Sequence, residues 1–480
     1  MGSIPKITLM NNFPNVEAIQ SDLVAQVQDV VGGDFARRVG DLGRLVKIQG
    51  IAWEAFDAAN LETSAEAVAQ LLRETGVFEL VEIRRAEADG KPGSPAVVAR
   101  RAAKNGKPTF LLYAHHDVQP PGNLDDWETP PFEPTLKNGR IYARGAADDK
   151  AGIVVHLTAI ETLRKLAGDD FDLGISVFIE GEEEAGSRTF RPFLDQNRDI
   201  LAADAIVVAD SGNWTADIPA LTTTLRGVVS QVFEVSTIDH ALHSGMYGGA
   251  VPDAMMAMTR LLTTLHNEDG SVAVEGLVSG TAMDLPYSES DLRRDSGANE
   301  PLELIGNGSI LDRLWTQPAI TVIGIDGQSV ALSSNTLLPR VKAKISMRIA
   351  PGDEPERALA ALRAHLEKHV PFKAKIVYHE IETGKPFKAD AAGWAQALAE
   401  TSLEAAFGHK TAHIGIGGSI PFIADLTEVF PAAQILVTGV EDADSRAHSP
   451  NESLEVESFR KAMVAETLML LKANELTRQE

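Results

Sequence analysis

Four apolar runs of strand length limit this chain most: TFLLYA (109–114), LGISVFIE (173–180), AIVVAD (205–210) and QILVTGV (434–440). They are too short for typical helices and are separated by segments of helical period. AGIVVHLTAIETLRKLAG (151–168) spaces Ile153, Leu157, Ile160 and Leu163 at three to four residues and closes on a glycine. TSAEAVAQLLRETG (63–76) has a Thr/Ser start and the same kind of stop. GRIYA (139–143) is a further strand candidate. Strands alternating with helices predict an α/β fold with a mainly parallel sheet and helices on both faces.

The grammar changes between residues 221 and 385. GVVSQVFEVST (227–237) and RVKAKISMRIA (340–350) alternate like half-exposed strands, and AITVIGI (319–325) and KAKIVYHEIE (373–382) add two more. PDAMMAMTRLLTTLH (252–266) and EPERALAALRAHLEKH (354–369) have helical spacing. That order is ferredoxin-like α+β. A chain of 480 residues exceeds what one hydrophobic core serves. The expected organisation is a main domain in two parts, 1–220 and 386–480, interrupted by a smaller domain at 221–385. Residues 268–317, rich in Gly, Ser and Asp with little periodicity, are expected to form a long inserted loop.

The formal charge of −24 argues against nucleic acid and anionic membrane as partners, which both need basic patches. The chain has no cysteine, so thiolate nucleophiles, iron–sulfur clusters, disulfides and thiolate zinc sites are excluded. A metal here would be held by His, Asp and Glu, a donor set for zinc, manganese or another borderline-to-hard cation. The start MGSIPKITLMNNF has no secretory pattern, and no apolar run reaches the ~20 residues of a membrane span. A soluble, cytoplasmic protein is expected.

Polar residues gather just past the apolar runs. His115 and Asp117 follow TFLLYA, Asp148 and Asp149 follow GRIYARGAA, and Glu182, Glu183 and Glu184 follow LGISVFIE. Asp210 ends AIVVAD, and His448 lies in EDADSRAHSPNES beyond QILVTGV. Each alone has an ordinary explanation: a helix N-cap for Asp148 or Asp149, a solvated acidic loop for EGEEEAGS, and surface or core positions for most of the twelve histidines. Their common place does not, because ligands of open α/β sheets bind beyond the carboxyl ends of the strands. On extended backbone residues i and i+2 share a side, so Asp117 can hold the ring of His115 while His116 points away. Adjacent Glu183 and Glu184 would diverge, one to hold metal and one to handle a proton.

YAHHDVQP, RGAADDKAG, EGEEEAGS, ADSGNW, HSGMYGG, GGSIP and AHSPNE, in this order over about residues 40–460, together resemble the co-catalytic zinc peptidases of family M twenty. That family includes carnosinase-like dipeptidases, glutamate carboxypeptidase, succinyl-diaminopimelate desuccinylase and aminoacylases. The resemblance implies a metal-binding α/β domain interrupted by a ferredoxin-like lid that often dimerises, so a homodimer is expected. It implies two divalent ions, zinc first, with manganese or cobalt as alternatives. His115 and Asp210 would hold the first ion and Glu184 and His448 the second. Asp148 would bridge them, joined to Asp149 by a cis peptide. Glu183 would be the general base and Asp117 the orienter of His115. His243 would supply a donor to the oxyanion, commonly across the dimer, and Arg348 would pair with a substrate carboxylate. Asn335, Gly418 and Ser419 would make further substrate contacts.

Aspartate at position 210, with HHDVQP and ADSGNW, favours the carnosinase-like dipeptidase branch by the same resemblance. One departure stands out: where the family pattern has arginine–glutamate before GGSIP, this chain has Gly415 and Ile416. Alanine at 114, where glycine is common, is a small change. The expected function is hydrolysis of short peptides with a free C-terminal carboxylate. The rivals are an N-acyl-amino-acid amidohydrolase with the same metals and a catalytically silent metal-binding protein.

Overall fold

The computed structural model describes residues 13, 18–390, 392–418 and 421–478. The chain divides into two compact units: Met1–Thr223 with Ala389–His413 and Asp425–Glu480, and Thr224–Lys388 with Ile414–Ala424. Among the described residues no helix is long and apolar enough to cross a membrane.

In the first unit α1 (Ser21–Val46) and α2 (Ala59–Glu74) precede β1 (Leu80–Arg84), β2 (Ala96–Arg101) and β3 (Thr109–His115). Next come α3 (Lys150–Ala167), β4 (Gly174–Glu180) and β5 (Ala205–Val208). The second unit contributes β6 (Gly227–Ser236), α4 (Ala254–Thr263), β7 (Ala319–Asp326), β8 (Arg340–Ile349), α5 (Pro355–His369) and β9 (Lys375–Gly384). The chain returns through α6 (Trp394–Phe407), β10 (Gln434–Val437) and α7 (Val456–Glu475).

The first unit's sheet runs β1-β2-β4-β3-β5-β10. The pairs β4/β3, β3/β5 and β5/β10 are parallel, and β2 alone runs against its neighbours. All seven residues of β3 and of β4 are buried. Side chains such as Phe110 and Leu112 each contribute about 1.5–3 kcal/mol by leaving water. The α3 segment is buried nearly all round, from Lys150 through Ile160, in one core with α1 and α7.

Three expectations need correction. Helix α2 begins at Ala59, ahead of Thr63, with the Asp57 carboxylate accepting from the Ala59 amide. GRIYA does not join the main sheet; Arg140–Tyr142 lies between Thr135–Lys137 and Ser453–Glu455 in a small antiparallel sheet. Asp148 therefore reaches the sheet edge from the start of α3. Residues 268–317 are not all loop: Glu289–Ser296 is a helix, started by a reciprocal cap between Ser288 and Asp291.

The second unit's sheet, β7-β8-β6-β9, is antiparallel throughout, the ferredoxin-like order. Along β8, Val341, Ala343, Ile345, Met347 and Ile349 are buried in a core shared with α4 and α5. The period of two leaves Arg348 on the opposite face, in register with Val228 and Ala319.

Candidate metal centre

Parallel strands end on one side of a sheet, so β3, β4, β5 and β10 deliver their following residues to one edge. His115 is the last residue of β3, and Asp210 stands two residues past β5. Beyond β4 the chain passes Gly181, where a Cβ would lie 2.3 Å from the Pro95 carbonyl oxygen, and turns through Glu183–Ala185. Asp148 directly precedes α3's N-cap, and His448 follows β10 in the loop before Ser453.

The Asp148 carboxylate addresses both imidazoles: Oδ1 lies 3.0 Å from His115 Nε2 and Oδ2 lies 3.1 Å from His448 Nε2. His448 Nε2 is also 3.1 Å from Glu184 Oε2, and Asp210 Oδ1 is 4.0 Å from His115 Nε2. Potential donor atoms of His115, Glu183 and Asp210 fall within 4.8 Å of one another, as do those of His115, Asp148 and Glu184. Glu183 and Glu184 thus join different groups. They do so from a 3-10 turn, not from the extended backbone expected, because both amides bend to the Asp117 carboxylate at 3.2 and 3.1 Å.

Buried neighbours hold these groups. Asp117 faces His115 Nδ1 with its carbonyl oxygen at 3.1 Å and its carboxylate at 3.4 Å. Asp149 occupies the N-cap position of α3 but makes no cap bond; its Oδ2 accepts from the His115 amide instead. The Asp148–Asp149 peptide is cis. Glu182 accepts from the amides of Ser94 and Thr189 and from the Thr189 hydroxyl, which makes it a loop brace. His116 lies outside the cluster: its Nε2 contacts the Pro95 carbonyl at 2.7 Å, and burial pulls its pKa down to about 4.

Asp117, Asp148, Glu183, Glu184 and Asp210 share this edge with His115 and His448. Burial pushes the Asp148 carboxyl up, but hydrogen bonds from the two histidines carry it below its ordinary value. Contacts with Asp148 and Glu184 raise His448 to about 11. Burial and nearby negative charge raise Asp210 to about 7 and Glu183 to about 9. Acids outnumber bases, and the buried Glu184 Oε1 has no hydrogen-bond partner among the described residues. A donor set of carboxylate oxygens and imidazole nitrogens, with surplus negative charge, fits a pair of divalent cations.

The other candidates lie on the second unit. His243, exposed, ends a two-residue strand paired with Thr336–Leu337, and its Nδ1 accepts from the Gly245 amide. The Asn335 carbonyl accepts from the Ser244 amide at 2.9 Å. Arg348 is half-buried, and burial together with its charge draws Arg226 down to about 10. Gly418 lies in a bend after strand residues 412–416, whereas Ser419 lies outside the described residues. At Gly415 a Cβ would come within 2.6 Å of Thr224 Oγ1 and of Trp315 Cβ. Trp315, from the stretch expected to be loop, thus fills the space a side chain at 415 would need.

Sequence reasoning missed Gln119, whose Nε2 donates to Glu184 Oε2 at 2.7 Å, and Glu441, raised well above its usual value by burial, Asp148 and Asp210. Gln119 stands two residues past Asp117, so the alternation that paired His115 with Asp117 could have found it. Glu441 directly follows QILVTGV, the same position past an apolar run that singled out the other acids, and was given no role. Arg144 and Glu452 were inside quoted motifs but were given no role.

A model of the Peptidase family M20/M25/M40 matches residues 111–472. A cysteinylglycine-S-conjugate dipeptidase of Corynebacterium striatum is 33% identical over 370 residues, covering 76% of this chain and 81% of its own length. A Cys-Gly metallodipeptidase of Schizosaccharomyces pombe is 27% identical over 462 residues, 92% of this chain and 96% of the relative. Among solved structures, human carnosine dipeptidase 1 superimposes with a TM-score of 0.71 at 22% identity, covering 96% of this chain and 100% of the other. That last likeness concerns the fold.

Proposed function

Because the chain belongs to peptidase family M20/M25/M40, we propose that it hydrolyses the amide bond of dipeptides or short peptides with a free C-terminal carboxylate. The observation that carries this reading is the Asp148 carboxylate, with one oxygen toward each of two histidines far apart in the sequence. In this reading His115 and Asp210 would hold one cation and Glu184 and His448 the other, with Asp148 shared between them. Zinc is the first candidate, with manganese or cobalt as alternatives. When bound, such a pair polarises the substrate carbonyl and acidifies a water.

The chain's own residues supply the rest. Glu183 accepts the proton of the attacking water and returns it to the leaving amine. Asp117 fixes His115 and, through two amides, the turn that carries Glu183 and Glu184. His243 accepts from the Gly245 amide at Nδ1, which leaves Nε2 to donate to an oxyanion. Arg348 offers a planar fork to a carboxylate. Asn335, Gly418 and Ser419 are proposed as further substrate contacts. The named relatives, a cysteinylglycine-S-conjugate dipeptidase and a Cys-Gly metallodipeptidase, support a dipeptide substrate.

A homodimer through the second unit completes the reading. Its edge strand β7 exposes Ile323 and Ile325, and the adjoining segment exposes Val330 and Leu332. An apolar edge of this kind is a pairing surface.

The test is a panel containing Cys-Gly, β-Ala-His, other dipeptides and N-acetyl amino acids, assayed with zinc and with manganese. Dipeptides are expected to be cleaved with the higher kcat/KM. Activity confined to acylated amino acids would replace this reading with the amidohydrolase one.

A further inference from the structure

We propose that Glu452 is a positioning residue that sets the spacing between Asp148 and His448, and so the geometry of the second cation's ligands. The proposal rests on the two-cation reading above.

The buried Glu452 carboxylate accepts four donors from a single short segment. Oε1 takes the amides of Ala147 and Asp148 at 3.0 and 3.2 Å. Oε2 takes the Gly145 amide at 3.0 Å and Arg144 Nη1 at 2.6 Å. Both oxygens are fully occupied, so Glu452 is not itself a ligand. It joins two loops distant in sequence: one ends in Asp148, and the other carries His448 just upstream of Glu452.

The second loop needs such a hold. Arg446, His448 and Asn451 have φ of 54°, 63° and 65°, a left-handed conformation uncommon for non-glycine residues, though less so for His and Asn. Arg144 Nη2 donates to the Ser449 carbonyl at 3.3 Å, so the side chain that pairs with Glu452 also grips the residue after His448. Arg140 binds Asp442 with two hydrogen bonds of 2.9 and 3.0 Å and donates to the Ser453 carbonyl. The Glu452 clamp is the element that reaches the Asp148 backbone directly.

Glutamine in place of Glu452 has nearly the same shape but only one acceptor oxygen, and its NH2 would face amide donors. Whichever way the amide turned, the 144–148 segment would lose two of its four acceptor contacts, and the segment that carries Asp148 would shift relative to His448. Residues that orient metal ligands from outside typically change affinity by about 10–100-fold when altered.

The experiment titrates Mn²⁺ alone into the full-length chain by calorimetry and records the magnetic signature of a coupled manganese pair. For the unmodified chain two equivalents and a coupled signal are expected. Glu452→Gln should weaken the second equivalent by about 10–100-fold and abolish the coupled signal, while the first equivalent, which keeps His115 and Asp210, is weakened less. Equal weakening of both equivalents, or none, overturns the proposal. If that variant does not fold, Glu452→Asp, which keeps all acceptors but draws the carboxylate back by one carbon, must show the same selective loss, and its absence is equally decisive. An unmodified chain that binds no second equivalent would instead refute the two-cation reading itself, and this inference with it.

Discussion

His115 and His116 are neighbours in the chain with opposite surroundings. His115 ends a fully buried strand with its Nε2 among carboxylates, and His116 turns to the Pro95 carbonyl and is held neutral by burial. The period of two along a strand made that division legible, as it did the partnership of His115 with Asp117. For Glu183 and Glu184 the divergence it predicted holds, but from a 3-10 turn fixed by Asp117, a residue 66 and 67 positions upstream. At this scale the clearest prediction concerns Glu183. Glu183→Gln should retain both metal equivalents by elemental analysis and lose about 10²–10⁴-fold in kcat on a dipeptide substrate. Turnover at the unmodified rate would remove Glu183 from the mechanism.

Helix α3 links the site to the core. His156 on α3 pairs with Glu466 on α7 at 2.7 Å, and its other ring nitrogen lies 3.1 Å from the Tyr113 carbonyl in β3, the strand that ends in His115. Burial alone would lower the His156 pKa, but Glu466 raises it above the ordinary value. A raised folded-state pKa means that the pair's contribution is complete below about pH 6.5, the unfolded value, and fades as pH rises through the folded value. Glu466→Gln should therefore destabilise the metal-free chain by about 3–5 kcal/mol at pH 6 and by less at pH 9, measured by urea unfolding. A penalty independent of pH would show that the pair is not charged. The helical period of α3 was plain in the sequence, yet its near-complete burial was not, because periodicity marks one apolar face and does not reveal a helix covered on several sides. The short helix at Glu289–Ser296 was missed for a related reason: its signal is a cap, Ser288 with Asp291, and its polar sequence has no apolar stripe.

For the molecule as a whole, each unit has its own buried core, and the second carries the apolar edge proposed to pair with another copy. Sedimentation velocity of the unmodified chain should give a dimer, and Ile325→Lys should shift it toward monomer. A monomer at all concentrations would rule that assembly out. The main strands and their alternation with helices were determined by the sequence alone, because hydrophobic period is a local property; the individual ligand roles follow from the resemblance of its motifs to a peptidase family and stand as proposals. The sequence placed the candidate residues past the ends of the strands, and the tertiary structure decided which side chains meet there and at what distances. Asp148 and Glu452 are 304 residues apart and touch only because parallel strands end on one sheet edge and the small sheet of residues 140–142 and 453–455 brings the returning chain beside it. Trp315 over Gly415 belongs to the same class. No local pattern announces a contact made by packing.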